Sequence, residues 1–221
     1  MNNSELIVAI LKRAGVRYVF GVPSGPTLPI MEALRESSLD YVLVAHEATA
    51  GFMADVTGRL TGTPGVCIST LGPGATNLAT GVGNALLDSA PLLAFTCTYR
   101  TDLLHRRVQM LIDHQAFFAP LTKASFCLEA GKVGETLVEA INLAVSEPPG
   151  PVHLDFPEDV ATSEVTELVP ELFPPKGFTP PAIEDLGKVE EALVSSRKPI
   201  AVLGLSTTRS NARKSLLSFI E

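Results

Sequence analysis

The stretch GVCISTLGPGATNLATGVGNALLDSAPLLAFTCT, residues 65–98, decides the fold class of this chain. It begins with an apolar strand pattern over residues 65–70 and passes through Gly72-Pro73-Gly74 into a helix that we expect to end near Leu87. A second apolar strand pattern follows over residues 91–98. Two buried strands joined by a helix are typical of a βαβ unit, in which both strands lie parallel in one sheet.

The same alternation of strand and helix extends from this stretch toward both ends of the chain. Apolar runs predict further strands over residues 17–20, 41–45, 122–128 and 151–156. Helical periodicity predicts helices over residues 4–14, 27–37, 47–60 and 131–146, with Ser4 as a possible N-cap of the first. We therefore predict an α/β fold, a doubly wound and mostly parallel sheet with helices on both faces.

Proline content divides the chain. Nine of the 17 prolines lie between residues 148 and 181, and residues 157–181 show almost no periodic pattern. We expect a first domain over residues 1–160 and an extended linker over residues 161–182.

The remaining residues, 183–221, are predicted to be the incomplete start of a second α/β domain. Their pattern predicts a helix over residues 184–196, a strand over residues 199–204 and another helix from about Arg209. One strand and two helices cannot bury a core of their own, so this part is expected to need a further partner.

Composition excludes several classes of protein. The chain has 221 residues, of which 46% are hydrophobic and 19% are charged, and its net charge is −7. This is a core-forming composition, and the chain carries no basic patch for nucleic acid. No apolar run reaches the roughly 18–20 residues of a membrane helix, and no charged start precedes an apolar stretch, so we expect neither a membrane span nor a secretory leader.

Three cysteines, Cys67, Cys97 and Cys127, each lie in an apolar stretch that resembles a strand. Their number is odd and no Cys-x-x-Cys pair occurs, so we expect buried free thiols rather than disulfides. Free thiols are typical of a reducing compartment, which predicts a cytoplasmic protein.

The middle of the first domain is almost free of charge. Between Tyr41 and Tyr99 the charged residues are Glu47, Asp55, Arg59 and Asp88. The helix after Gly74 has none, so we expect another domain or subunit to cover it. The alternative is that the chain's own loops cover it. Gly81 and Gly83 within this helix predict the close approach of a second helix.

Two local features could carry chemistry. Gly72-Pro73-Gly74-Ala75-Thr76-Asn77 partly matches a dinucleotide-binding turn, but Asn77 replaces the third glycine and no acidic residue ends a second strand at the required distance. Glu47 is a lone carboxylate at the start of a nearly uncharged helix, where helix N–H groups could also account for it. We expect His46 to be a packed or capping residue, and His105 and His114 to be loop or surface residues.

Seven motifs, taken in order, resemble one known family. They are Gly21-Val22-Pro23-Ser24-Gly25, residues 46–55 (HEATAGFMAD), Gly65-Val66-Cys67, residues 72–77 (GPGATN), residues 88–92 (DSAPL), Pro120-Leu121-Thr122-Lys123 and residues 150–157 (GPVHLDFP). Over residues 4–160 the series resembles the N-terminal pyrimidine-binding domain of thiamine-diphosphate enzymes of the acetolactate synthase group. Benzaldehyde lyase, benzoylformate decarboxylase and pyruvate oxidase are relatives in that family.

The resemblance implies a role for eight residues. Glu47 matches the glutamate whose carboxyl group hydrogen-bonds the aminopyrimidine N1′ and promotes removal of the thiazolium C2 proton. Gln109 matches the active-site glutamine of the benzaldehyde-lyase-like members, so Glu47 and Gln109 are the implied catalytic residues. Pro23, Thr70, Gly74 and Asn77 join Glu47 as implied cofactor-binding residues, and Ser24 and Gly25 join Gln109 in the implied substrate pocket.

The resemblance also implies partners. Family members hold the diphosphate through Mg²⁺ with a Gly-Asp-Gly motif in a further domain, and that motif does not occur in this sequence. We therefore expect a homo-oligomer or a separate diphosphate-domain chain to complete the site, with a 2-oxo acid such as pyruvate as substrate. The alternatives are a lyase of the benzaldehyde lyase or benzoylformate decarboxylase type, and an inert module that docks on a complete enzyme.

Departures from the family pattern leave open whether the protein requires FAD. Leu71 stands where the family has a serine, and residues 108–110 are Val-Gln-Met instead of Phe-Gln-Glu. Because these changes fall where acetolactate synthases contact substrate and FAD, the resemblance fixes neither the acceptor substrate nor an FAD requirement.

Overall fold

The computed structural model of the chain describes residues 1–166, 171, 181–209 and 212–220. These residues fall into two compact units, Met1–Pro175 and Lys176–Glu221. Most of the linker predicted over residues 161–182 lies outside the described residues, so that prediction is not tested there.

The first unit is built on one six-stranded sheet, which confirms the predicted α/β fold. Its strands are β1 (Tyr18–Gly21), β2 (Asp40–Leu43), β3 (Gly65–Thr70), β4 (Leu92–Thr98), β5 (Ala124–Cys127) and β6 (Pro151–Pro157). They are all parallel, in the order β2-β1-β3-β4-β6-β5. β3 and β4 pair in register from Gly65 opposite Leu92 to Thr70 opposite Cys97, so residues 65–98 form the expected βαβ unit.

Helices connect the strands. They are α1 (Asn3–Arg13), α2 (Leu28–Arg35), α3 (Glu47–Thr61), α4 (Pro73–Leu87), α5 (His114–Phe118), α6 (Val133–Val145) and α7 (Glu158–Thr162), together with 3₁₀ turns at Gly25–Thr27, Thr101–Leu103 and Ala119–Leu121. α1 is capped by Asn2 rather than Ser4, because Asn2 and Glu5 form a reciprocal capping box. The Ser4 hydroxyl is buried instead and donates to the Ala161 carbonyl at 3.0 Å.

Two apolar layers cover the two faces of the sheet. One joins α1, α2, α6 and α7 to the sheet through side chains such as Leu6, Leu34 and Leu137. The other joins α3, α4 and α5 to the sheet through side chains such as Ala54, Leu78 and Phe118. Burial of both sheet faces explains why the strands read as continuous apolar runs.

α3 and α4 pack with their backbones in close approach. A Cβ atom on Gly81 would lie 2.6 Å from the backbone of Gly51, and one on Gly51 would lie 2.8 Å from Gly81. The second helix that Gly81 was expected to meet is therefore α3 of the same chain. Gly83 has no such neighbour, since its Cβ would approach only the Leu121 side chain, at 3.6 Å.

The second unit contains α8 (Ile183–Ser195), α9 (Leu205–Arg209) and α10 (Arg213–Ile220). The strand predicted over residues 199–204 is wrong, because these residues form no strand. No neighbouring strand is present in the described part of this unit, so a strand here would leave its backbone N–H and C=O groups unpaired. Across the described parts of both units, no helix combines the length and apolar character that crossing a membrane requires.

Candidate cofactor site at the carboxyl edge of the sheet

The strand order changes direction between β1 and β3. β1 leads to β2 on one side of the sheet, whereas β3 leads to β4 on the other. The loops that follow the carboxyl ends of β1 and β3 therefore run in opposite directions. The crevice between two such loops is the usual ligand site of an open α/β sheet. The segments after β1 and β3, residues 22–27 and 71–74, flank this crevice.

Glu47 is the first residue of α3 and meets the start of α4. Asn77 Nδ2 donates to Glu47 Oε2 at 3.0 Å. A Cβ atom on Gly74 would lie 3.4 Å from Glu47 Oε1 and 2.7 Å from Thr70 Cγ2. The structure thus brings together four of the eight predicted site residues: Glu47, Thr70, Gly74 and Asn77.

The Glu47 carboxyl group keeps one oxygen available. It is half-buried, and none of the described residues donates a hydrogen bond to Oε1. The position at the N-terminus of α3 favours a negative charge through the helix dipole. His46, as expected, is the N-cap: its Nδ1 accepts the Ala48 N–H at 3.1 Å, which leaves Glu47 free of that capping role.

The predicted residues after β1 form a tight turn at the same edge. The Ser24 N–H donates to Thr27 Oγ1 at 2.7 Å, and that hydroxyl donates back to the Ser24 carbonyl at 2.8 Å. The turn Gly25–Thr27 packs against β3 and β4. Pro23 and Gly25 are exposed, and a Cβ on Gly25 would meet nothing within 4 Å, so this side of the crevice is open.

Gln109 lies in an exposed turn beside the start of α4. The next residue, Met110, has φ +65°, and its carbonyl oxygen would lie 2.0 Å from a Cβ placed on Gly72. The turn that carries Gln109 is therefore packed against the loop between β3 and α4. This places Gln109 near the crevice, while its role stays a prediction.

A buried hydrogen-bond network behind this loop was missed by the sequence analysis. It links Gly72, Thr96, His114, Ser125, His153 and Asp155. His114 is 2% exposed, so its prediction as a loop or surface residue is wrong. Thr96, His153 and Asp155 are buried as well. The one available signal was the pair of polar residues inside the apolar strand pattern of residues 151–156.

Lys123, from another motif of the resemblance, has a structural role. Its Nζ lies within hydrogen-bond distance of four oxygens, the carbonyl oxygens of Leu143, Ser146 and Pro148 at 2.6–2.8 Å and the Ser146 hydroxyl at 2.9 Å, which share its three N–H donors. Burial lowers the pKa of this amine. Lys123 therefore binds the carbonyl groups at the C-terminal end of α6, away from the crevice.

Comparison with known proteins gives a family match. Residues 1–117 match the family described as "Thiamine pyrophosphate enzyme, N-terminal TPP binding domain". The chain is 35% identical over 228 residues to the probable acetolactate synthase large subunit of Methanocaldococcus jannaschii. It is 34% identical over 226 residues to the acetolactate synthase large subunit of Corynebacterium glutamicum, and 32% identical over 228 residues to isozyme 3 of Escherichia coli.

These matches cover the whole of this chain but only part of each relative. The matched share is 39%, 36% and 40% of the three relatives in the same order, so the chain spans about two fifths of their length. The share covered includes the crevice and all of its predicted residues.

Proposed function

The chain belongs to the thiamine pyrophosphate enzymes, and we propose that it is the pyrimidine-binding part of an acetolactate-synthase-like enzyme that acts on 2-oxo acids such as pyruvate. The observation that carries the proposal is the position of Glu47, with one oxygen on Asn77 and the other over Gly74 at the switch point of the sheet. The three relatives described above are named as acetolactate synthases, one of them as a probable one, which favours carboligation over the lyase alternative.

The residues at the crevice fit the pyrimidine ring of thiamine diphosphate. Glu47 Oε1 can hydrogen-bond a ring nitrogen, because no described residue occupies that oxygen and Gly74 places no side chain over it. Asn77 holds the second oxygen and so orients the carboxyl group. Pro23 and Thr70 would line the ring from the β1 and β3 sides.

When bound, thiamine diphosphate supplies an electron sink for the decarboxylation of 2-oxo acids. Glu47 would hold a proton at the pyrimidine N1′ through Oε1, while Asn77 keeps the carboxyl group in place through Oε2. Ser24, Gly25 and Gln109 would face the substrate from the loops on either side of the crevice. Because Gln109 is a neutral donor and acceptor, it can orient a 2-oxo acid without adding charge.

The chain's partners follow from the same assignment. We expect Mg²⁺ and the diphosphate to be held by a domain of a neighbouring subunit or of a separate chain, in a homo-oligomer or a mixed assembly. The described cysteines carry no disulfide, which supports the cytoplasm as the compartment.

A chimeric enzyme tests the proposal. This chain replaces the matched 226 residues of the Corynebacterium glutamicum large subunit, and acetolactate formation from pyruvate is measured with Mg²⁺ and thiamine diphosphate. We expect activity, and a loss of at least about 100-fold in Glu47→Gln, since acid–base residues contribute about 10²–10⁴-fold. The cofactor's dissociation constant should change less than tenfold, because the diphosphate is held elsewhere.

Glu32→Gln is the matched control. Glu32 is an exposed carboxylate on α2 that pairs with Arg35, and such surface pairs contribute little. This variant should keep the activity of the parent chimera. A folded chimera in which Glu47→Gln is as active as the parent would contradict the role of Glu47.

A further inference from the structure

The hydrogen-bond partners of His114 define its protonation. The Gly72 N–H donates to His114 Nε2 at 2.9 Å, and a backbone amide can only donate, so Nε2 carries no hydrogen. His114 Nδ1 lies 2.8 Å from Asp155 Oδ1, where an Nδ1–H group donates to the carboxylate. The two bonds together require a neutral imidazole with its hydrogen on Nδ1.

The other half of the network points to the same carboxylate. The Thr96 hydroxyl donates to Asp155 Oδ1, so its oxygen accepts from His153 Nε2 at 2.8 Å. His153 Nδ1 then accepts from the Ser125 hydroxyl at 2.6 Å. Two chains of hydrogen bonds, one from Gly72 through His114 and one from Ser125 through His153 and Thr96, thus end on Asp155. Among the described residues, no group of three or more His, Cys, Asp or Glu side chains is arranged to hold a metal ion, so we treat the network as a hydrogen-bond device.

The loop that His114 contacts decides where α4 begins. Gly72 is the N-cap of α4 with φ +56° and ψ −108°, and it makes no side-chain cap. Two contacts place it: the His114 ring on its N–H, and the Met110 carbonyl against its Cα, where no Cβ would fit. Both contacts come from residues 110–114, directly after Gln109.

We propose that His114 is the positioning residue of the crevice. It ties the turn that carries Gln109 to the start of α4, and thereby sets Gly74 and Asn77 against Glu47. The inference rests on the proposed function only in that it assigns Gln109 to the substrate and Glu47 to the cofactor. The hydrogen bonds and their directions stand without it.

The ring protonation can be measured in the unmodified chain. ¹⁵N NMR of the imidazole at neutral pH should show His114 with a protonated Nδ1 and an unprotonated Nε2, because only that form accepts the Gly72 amide. His153 should show the opposite tautomer. A hydrogen on His114 Nε2 would overturn the proposal, since that ring could not accept from Gly72.

Hydrogen exchange at the Gly72 amide tests the link to α4. In His114→Leu, exchange at Gly72 should accelerate at least about tenfold relative to the amides of Cys67 and Ala94 in the central strands, which report global opening. In His114→Gln the change should stay within about threefold, because the amide side chain keeps one acceptor and one donor. Equal protection of Gly72 in both variants would overturn the proposal.

Ser125→Ala is the matched control, because it removes a partly buried hydrogen bond at the far end of the network. Its Gly72 amide should exchange within about threefold of the unmodified chain. If Ser125→Ala accelerates this exchange as much as His114→Leu does, the effect is general loosening and the proposal fails. Should His114→Leu not fold, the tautomer of the His114 ring and the Gly72 exchange rate in His114→Gln still test the proposal.

The chimeric enzyme supplies the functional readout. His114→Leu should lower kcat at least about tenfold and His114→Gln should restore it, at matched folded fractions. A restored kcat supports positioning, whereas equal losses in both variants contradict it. If the parent chimera forms no acetolactate and binds no cofactor, the proposed function fails, while the tautomer and the Gly72 exchange rates still decide the role of His114.

Discussion

At the scale of single residues, Asp155 determines the electrostatics behind the crevice. Its side chain accepts from Thr96 and His114, and His153 and Ser125 extend the network beyond Thr96. A buried carboxylate is costly unless its oxygens receive hydrogen bonds, and these neutral donors provide them. Each imidazole also accepts a hydrogen bond on one ring nitrogen, His114 from Gly72 and His153 from Ser125, so the network depends on both imidazoles remaining uncharged.

His153 should make the protein's stability depend on pH. Burial lowers the pKa of His153 to about 4 in the folded state, from an ordinary value of 6.5. As the pH falls from about 6.5 to about 4, His153 therefore becomes protonated in the unfolded chain but remains neutral in the folded chain. Over this window the free energy of unfolding should fall by up to about 1.4 kcal/mol per pH unit.

Denaturant unfolding at pH 7, 6 and 5 measures this effect. His153→Gln keeps a donor toward Thr96 and an acceptor toward Ser125 but does not titrate, so its stability should fall less steeply toward acid. Carboxylates elsewhere titrate in both proteins and cancel in the comparison. Parallel pH dependences for the two proteins would show that His153 contributes nothing to it.

A residue can be singled out from the sequence where its signal is local. Glu47 stands out because it is one of few charges in a long stretch and begins a helix, and both facts are visible in the sequence. His114 was misjudged because its partners, Gly72 and Asp155, lie about 40 residues away in either direction. Only the strand order, which no periodicity gives, brings them together.

At the scale of elements, the crossing of α3 and α4 holds the crevice. Glu47 begins one helix, and Gly74 and Asn77 lie in the first turns of the other, so their separation depends on how closely the two helices pack. Gly51 and Gly81 allow backbone contact at this crossing. The crossing acts as a spacer for the site.

Two alanine substitutions on α4 should differ in their effect on stability. Gly81→Ala should destabilise the protein by about 1–3 kcal/mol, because its Cβ would lie 2.6 Å from the α3 backbone, which cannot yield as a side chain can. Gly83→Ala should be neutral or stabilise by up to about 1 kcal/mol, because helix propensity rises without a clash. Thermal and urea unfolding of both variants measures the difference, and equal effects would contradict the packing described.

Element boundaries were predicted best where both ends carry a signal. β3 spans residues 65–70 as predicted, and α3 ends before Gly62, which adopts a left-handed conformation with φ +73°. The predicted strand over residues 199–204 had the composition of a strand but no neighbour to pair with. Composition indicates what a segment can form, whereas pairing decides what it does form.

At the scale of the whole molecule, α3 presents an apolar stripe to solvent. Phe52, Val56 and Leu60 lie one turn apart and are 41%, 49% and 82% exposed. The chain itself therefore covers most of α4, the helix without charge, through its packing against α3, and leaves this stripe on the other side of α3 exposed. We expect the neighbouring subunit that completes the site to cover this stripe.

A charge on this stripe should weaken assembly of the chimeric enzyme. Val56→Glu would bury a carboxylate at that contact, so sedimentation should show smaller species at a given protein concentration. Thr136→Glu, on α6 at the opposite face of the sheet, adds the same charge and should leave the sedimentation profile unchanged. An unaltered profile for Val56→Glu would argue against α3 as the subunit contact.

The strand order also bears on how the polypeptide is made. Among the strands of this sheet, β6 is the last to leave the ribosome, yet it lies between β4 and β5. Until residue 157 has emerged, β5 has no strand to pair with, and the edge of β4 that later binds β6 is also unpaired. Nascent chains whose emerged part ends within residues 128–150 therefore expose the edge of β4 and an entirely unpaired β5, and we expect chaperones to bind this intermediate.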